Sequence, residues 1–269
     1  MRVEGVNTNA DHANVTAAVL VLAVSAAILA NILRARRGRE LFLRRIPGLT
    51  AVDEAAGRAT EMGRPVLFSI GLGGADSILV LTAMSVMQYV GRICARMGAR
   101  VIVPVDGPSA YPLAQEAMRE VYESEGRPEA FREDDVKYLT GGQFAWAMAT
   151  MGLMTREKVA SSFYFGSYGA ESLMLAETGY QVGAIQVAGT PDLYQVPFFV
   201  AACDYTVFGE EFFAASAYLS REPTMVGSLV GQDIGKMVFL GLVVVGMALA
   251  TLVEAQLLKS NYLATLLTR

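Results

Sequence analysis

Two uncharged, mostly apolar runs lie near the ends of the chain. The first covers residues 13–33 and the second residues 237–253. At a rise of 1.5 Å per residue, about 20 residues cross a hydrocarbon core about 30 Å thick. The first run therefore predicts a transmembrane helix. The second is seventeen residues long, at the short end for a span, and a buried core helix is its alternative reading. Val238, Phe239, Leu240, Leu242, Val243, Val244 and Val245 put apolar side chains on every face of that helix, which favours a span.

Between these runs the pattern shortens and alternates. Val66–Ile70, Val101–Val105, Val136–Leu139, Ser161–Phe165, Ala184–Val187 and Phe198–Ala202 are short apolar segments that read as strands. Helical patterns follow over Ala75–Met97, about Ser109–Glu125, from Gly142 to about Met154, and about Glu210–Leu219. Strands that are apolar throughout, rather than at alternate positions, are buried on both faces. Their alternation with helices predicts a Rossmann-like three-layer α/β domain with a mainly parallel sheet, flanked by two transmembrane helices. The stretch Ser77–Gly91 is also uncharged, but it is short for a span and fits a core helix.

Charge orders these parts. Residues 34–45 hold six arginines and one glutamate, +5 within twelve residues, so a net charge of −4 leaves −9 for the remainder. A secretory signal would carry its positive charge before the apolar core. Here Glu4 and Asp11 precede the core and the arginines follow it, which reads as a retained anchor with the arginine side in the cytoplasm. The resulting organisation is an exported segment 1–12, a span 13–33, a basic collar 34–45, a cytoplasmic domain 46–234, a second span 235–254 and an exported tail 255–269. Leu257, Leu258, Tyr262, Leu263, Leu266 and Leu267 give that tail apolar side chains to rest on a membrane surface. The expected location is the cell (inner) membrane, with the bulk of the chain cytoplasmic.

The composition agrees with a mixed molecule. Of 269 residues, 53% are hydrophobic and 18% charged, against about 25% charged in an average soluble protein. The spans also carry small residues at four-residue spacing: Ala23 and Ala27, Ala26 and Ala30, Gly246 and Ala250. Such spacing permits close helix contact, so the expected partners are the lipid bilayer and either further copies of the chain or another membrane protein. A channel is the least favoured reading, because the uncharged runs 13–33 and 237–253 carry no internal ionisable residue. A nucleic-acid partner is not expected, since the domain lacks a basic patch to neutralise phosphates.

Several chemistries are excluded by residue supply. His12 is the single histidine, and Cys94 and Cys203 are far apart. A Ser-His-Asp triad needs a placed imidazole, whereas His12 lies in a polar N-terminal segment; a structural zinc needs several His or Cys ligands, and without a Cys-x-x-Cys arrangement a dithiol redox site and a disulfide framework are not expected.

Three features at predicted strand ends are candidate chemistry. Ligands of open parallel sheets bind outside the carboxyl ends of the strands. Gly71, Gly73 and Gly74 follow the first strand and let a helix N-terminus approach a phosphate. The match to G-x-G-x-x-G fails at Asp76, which could cap the helix, and a plain turn is the alternative. Asp106 ends the second strand, where an acid can hold a ribose hydroxyl. Asp106-Gly107-Pro108 is equally a turn. Finally, residues 159–220 contain no Lys or Arg but hold Glu171, Glu177, Asp192, Asp204, Glu210 and Glu211. Glu171, Glu177, Asp204, Glu210 and Glu211 form a candidate set for a divalent cation. Pairing with Arg64, Arg92 or Arg156, a basic partner surface, and ordinary exposed or helix-terminal acids are the alternatives.

The segments VPVDGPSAYP (103–112), AESLMLAETG (170–179), GAIQVAGT (183–190), PFFVAACDY (197–205), GEEFFAASAYLS (209–220) and GQDIGK (231–236) together resemble a prokaryotic family of membrane-anchored proteins known as a domain of unknown function. The resemblance covers about residues 40–240. It implies a membrane location and supplies no activity, substrate or catalytic residue. Two classes of function stay open: an assembly or ligand-sensing component of a membrane complex, and a nucleotide- or cation-binding enzyme at the sheet's carboxyl edge. The sequence names no cofactor.

Overall fold

A computed structural model of the chain describes residues 15–37, 47–220 and 223–255. Residues 1–12, expected to be exported, most of the basic collar and the tail beyond residue 255 lie outside them. The chain divides into two compact units, Arg44–Arg221 and the pairing of Met1–Leu43 with Glu222–Arg269.

The larger unit is an α/β domain. Its elements in order are α2 (Pro47–Met62), β1 (Val66–Ser69), α3 (Ile78–Met97), β2 (Val101–Val105), α4 (Ala110–Ser124), β3 (Val136–Tyr138), α5 (Gln143–Glu157), β4 (Ser161–Phe165), α6 (Glu171–Gln181), β5 (Ile185–Thr190), α7 (Val196–Ala202), β6 (Tyr205–Phe208) and α8 (Glu210–Ser220). The six strands are all parallel, in the order β3-β2-β1-β4-β5-β6. This is the strand order of doubly wound Rossmann folds, with its reversal between β1 and β4.

Strand side chains alternate between two apolar layers. Phe68, Phe163, Phe165 and Val187 face α2, α3, α4 and α8. Leu67, Tyr164 and Ala188 face α5, α6 and α7. Phe68 stacks against Phe163 and Phe165 at 5.9 and 5.8 Å between ring centres. Such stacking adds to the area these rings remove from water. The small residues Ala51, Ala55, Ala56 and Ala59 let α2 lie close to the sheet, where Ser161 Oγ donates to Ala55 O at 2.6 Å.

Phe198–Ala202 is not a strand. It forms most of α7, and the sixth strand is Tyr205–Phe208. Pro197 sits in the first turn of the helix, where its missing N–H is no loss. A five-residue apolar run has no period of its own by which helix and strand separate.

The smaller unit is a hairpin of α1 (Val15–Arg36) and α9 (Pro223–Glu254). The 32-residue α9 starts twelve residues before the expected boundary at 235, so residues 223–234 belong to the helix and not to the α/β domain. Arg36 donates to Thr224 Oγ1 at 3.3 Å, so the end of α1 lies beside the start of α9. Close contact within the hairpin comes in part from glycines outside the expected small-residue pairs. A Cβ at Gly227 would lie 2.5 Å from Ile32 Cα, and one at Gly231 would lie 2.6 Å from Ile28 Cα.

Among the described residues, three helical stretches are long and apolar enough to cross a membrane: Ala18–Arg36, Ile78–Met97 and Val226–Glu254. The middle one is α3, and eleven of its twenty residues are buried in the α/β unit.

Candidate functional site

The carboxyl edge of the sheet brings together the loops after β1, β2 and β4. Gly71 and Gly73 have φ of 75° and 127°, a region open to glycine without strain. The N–H of Leu72 donates to Ser167 O at 2.8 Å, tying the β1 loop to the β4 loop. A Cβ at Gly71 would stand 2.6 Å from the same Ser167 oxygen. A Cβ at Gly74 would meet Ser109 Oγ at 2.7 Å, and Ser109 Oγ accepts the N–H of Ala75 at 3.1 Å. The glycines therefore serve close backbone packing among three loops. α3 then starts at Ile78 with Ser77 as its N-cap residue, not Asp76, and Ser77 makes no side-chain capping bond.

Asp106 faces this loop. One of its carboxyl oxygens, Oδ1, is buried without a hydrogen-bond partner. Burial raises its pKa above the ordinary value, a hydrogen bond from the Gly73 backbone opposes the rise, and the charge of Glu171 adds to it. Burial disfavours the charged form and a nearby like charge does the same. Asp106 and Glu171, placed in different candidate groups by sequence, thus share one electrostatic neighbourhood.

Glu171 opens α6 and is fully buried. Its Oε1 accepts the N–H of Gly169 at 2.7 Å, and its Oε2 accepts from Gln143 Nε2 at the start of α5. Behind it, Tyr168 donates from its hydroxyl to Ser69 Oγ at 2.9 Å, and burial raises the phenol pKa. Ser167 Oγ donates to Asp192 Oδ2 at 2.7 Å beyond β5. Gln143, Tyr168 and Ser167 carry no motif spacing, and their roles come only from the fold.

The other acids of the candidate cation set do not join Glu171. Glu177 is exposed on α6 and accepts from Gln181 at 3.1 Å. Asp204 precedes β6 at the amino edge and accepts the N–H of Gln186 at 2.8 Å. Glu210 and Glu211 occupy the first turn of α8, after β6. Among the described residues, no group of three or more His, Cys, Asp or Glu side chains is arranged to hold a metal ion. Arg64, one of the expected partners for these acids, donates instead to the carbonyls of Lys158, Val159 and Val182. Cys203 is held protonated, its pKa pushed up to about 12 by burial and then by Asp204.

A family model described as "Domain of unknown function (DUF6754)" matches residues 7–261. The chain belongs to this family. The DUF6754 match takes in α1, the whole α/β unit and α9. No curated protein and no solved structure matches the chain.

Proposed function

We propose that the protein is a membrane-anchored ligand-sensing domain: α1 and α9 embed in the cell membrane, and the α/β unit lies on the cytoplasmic side. The ligand site is the carboxyl edge around Gly73, Asp106 and Glu171. Arg34, Arg36 and Arg37 at the end of α1 support the cytoplasmic placement. The contact of Arg36 with Thr224 supports it too, because the chain leaves and re-enters the hairpin at one end. Signalling through such an anchor requires assembly with further copies of the chain or another membrane protein.

The observation that carries the site is the buried, partnerless Oδ1 of Asp106. A buried acceptor without a donor costs about 1–3 kcal/mol, and a ligand hydroxyl or amine would recover that cost. An acid at the end of β2 in this strand order is placed to hold the hydroxyls of a ribose. The favoured ligand is therefore a nucleoside-bearing small molecule.

Calorimetry on the detergent-solubilised full chain tests this with adenosine and guanosine nucleotides, with and without magnesium. The expected result is binding that Asp106→Asn weakens at least tenfold. Heat from magnesium alone would turn the reading toward a cation site. No binding by any of them would reject the site.

A further inference from the structure

We infer that the carboxyl-edge site takes a nucleoside without a phosphate and discriminates against its phosphorylated forms. This rests on the proposed nucleoside site and deepens it by fixing the charge of the ligand.

The loops and helix starts at this edge cover residues 70–78, 106–113, 139–146, 166–172, 191–198 and 209–213. They contain no Lys, Arg or His and six acids: Asp76, Asp106, Glu171, Asp192, Glu210 and Glu211. Arginines are instead engaged at the amino ends of the strands. Arg64, just before β1, donates to the carbonyls of Lys158, Val159 and Val182. Arg96, in the last turn of α3, pairs with Glu125 at 2.6 Å. Arg100, just before β2, pairs with Asp135 at 2.6 Å and Glu157 at 2.8 Å. A phosphate at the carboxyl edge meets like charge with no cation in these loops, and such juxtaposition costs affinity.

Helix N-termini attract anions, so the backbone donors of this edge matter. Of the seven N–H groups from Gly71 to Ser77, five already donate within the protein. Gly71 donates to Ser69 Oγ at 3.3 Å, Leu72 to Ser167 O at 2.8 Å and Gly73 to the Asp106 carboxylate. Ala75 donates to Ser109 Oγ at 3.1 Å, and Ser77 to Gly74 O at 3.1 Å. The carboxylate of Asp76 stands over the same loop, 2.7 Å from where a Cβ at Gly74 would lie. At the start of α4, Ala110 and Tyr111 both donate to Gly107 O, at 3.1 and 3.2 Å. At the start of α6, Glu171 is itself the anion, accepting the N–H of Gly169 at 2.7 Å. The donors that would cradle a phosphate are therefore in use.

The edge offers an acceptor instead. Asp106 Oδ1 is buried without a donor. Ribose hydroxyls supply a hydrogen to such an oxygen, whereas a fully ionised phosphate has none to give. The need of the site matches the sugar and not the phosphate.

The test is calorimetry on the full chain in an uncharged detergent, with adenosine against AMP and guanosine against GMP. Each nucleoside should bind at least tenfold more tightly than its monophosphate in 0.1 M salt. The gap should narrow in 1 M salt, where the screening length falls from about 10 Å to about 3 Å. Asp76→Lys, at an exposed position, should tighten AMP at least tenfold and move adenosine less than threefold, and Asp76→Asn should do the same to a smaller degree. Binding by no member of either pair rejects the site and the reading beneath it. A monophosphate that matches or exceeds its nucleoside keeps the site and overturns the inference. So does an AMP affinity that overtakes adenosine once magnesium is added, the ion then bridging acids to phosphate, and so does a gap that neither Asp76 variant changes.

Discussion

Gly107 and Gly73 are in backbone contact across two loops: a Cβ at Gly107 would stand 2.2 Å from Gly73 O. No flexible side chain is available to give way there, so Gly107→Ala must displace the β1 loop from the β2 loop. Overpacking of this kind costs about 1–3 kcal/mol. The expected outcome is a lower thermal midpoint of the solubilised chain together with loss of ligand binding, because Asp106 directly precedes the contact. Unchanged stability and unchanged binding would show that the two loops separate freely.

Asp106→Asn should stabilise the protein at neutral pH. The folded state holds the Asp106 carboxyl above its ordinary value of 3.8, through burial first and Glu171 last. An acid raised on folding takes up a proton that the unfolded chain does not hold. Stability is then lost as pH rises from the unfolded value through the folded one. Asn carries no charge and keeps an oxygen to accept from Gly73. Thermal unfolding across pH 4–8 should show the variant above the wild type at pH 7, with the gap closing toward pH 4. A lower midpoint at pH 7 would contradict the assignment.

How far the sequence reaches is clearest residue by residue. Val101–Val105 is legible outright, because five buried apolar residues end at Asp106-Gly107-Pro108. The pairing of strands into a parallel sheet follows from alternation with helices. Phe198–Ala202 misleads because so short a run has no period. At the site, Gly71, Gly73 and Asp106 stand out locally, but the packing of Gly107 on Gly73 joins loops more than thirty residues apart. Gln143 leaves no trace in the sequence, since one amide carries no spacing. The hairpin register is the deepest gap. Nothing in the sequence sets Gly231 against Ile28 or Gly235 against Val24.

Glu171 separates a structural part from an electrostatic one. Glu171→Ala leaves the N–H of Gly169 and the amide of Gln143 without their acceptor, at a cost of about 2–3 kcal/mol. Glu171→Gln should cost less than about 1 kcal/mol, because the Gln143 amide can turn over and present its oxygen. Both variants remove the charge that raises the Asp106 pKa. Carboxyl NMR titration should therefore find Asp106 lowered in both, with only Glu171→Ala strongly destabilised. An unmoved Asp106 in both would mean that the two carboxylates do not sense each other.

Gly231 is the position at which the hairpin is most simply forced open. Its backbone sits where a Cβ would meet Ile28 Cα at 2.6 Å, with Ile28 Cγ1 at 2.9 Å and Cβ at 3.2 Å. Small residues at such crossings allow the backbone approach on which helix pairing in lipid depends. Gly231→Leu cannot keep that approach, whereas Gly241, with nothing within 4 Å of a Cβ, takes the same change freely. Cysteines at positions 36 and 224, beside the Arg36–Thr224 contact, report closure through a short bifunctional maleimide. Intramolecular cross-linking should fall at least tenfold with Gly231→Leu and stay unchanged with Gly241→Leu. Equal losses in both would place the effect in general helix insertion and not in the packing of α9 on α1.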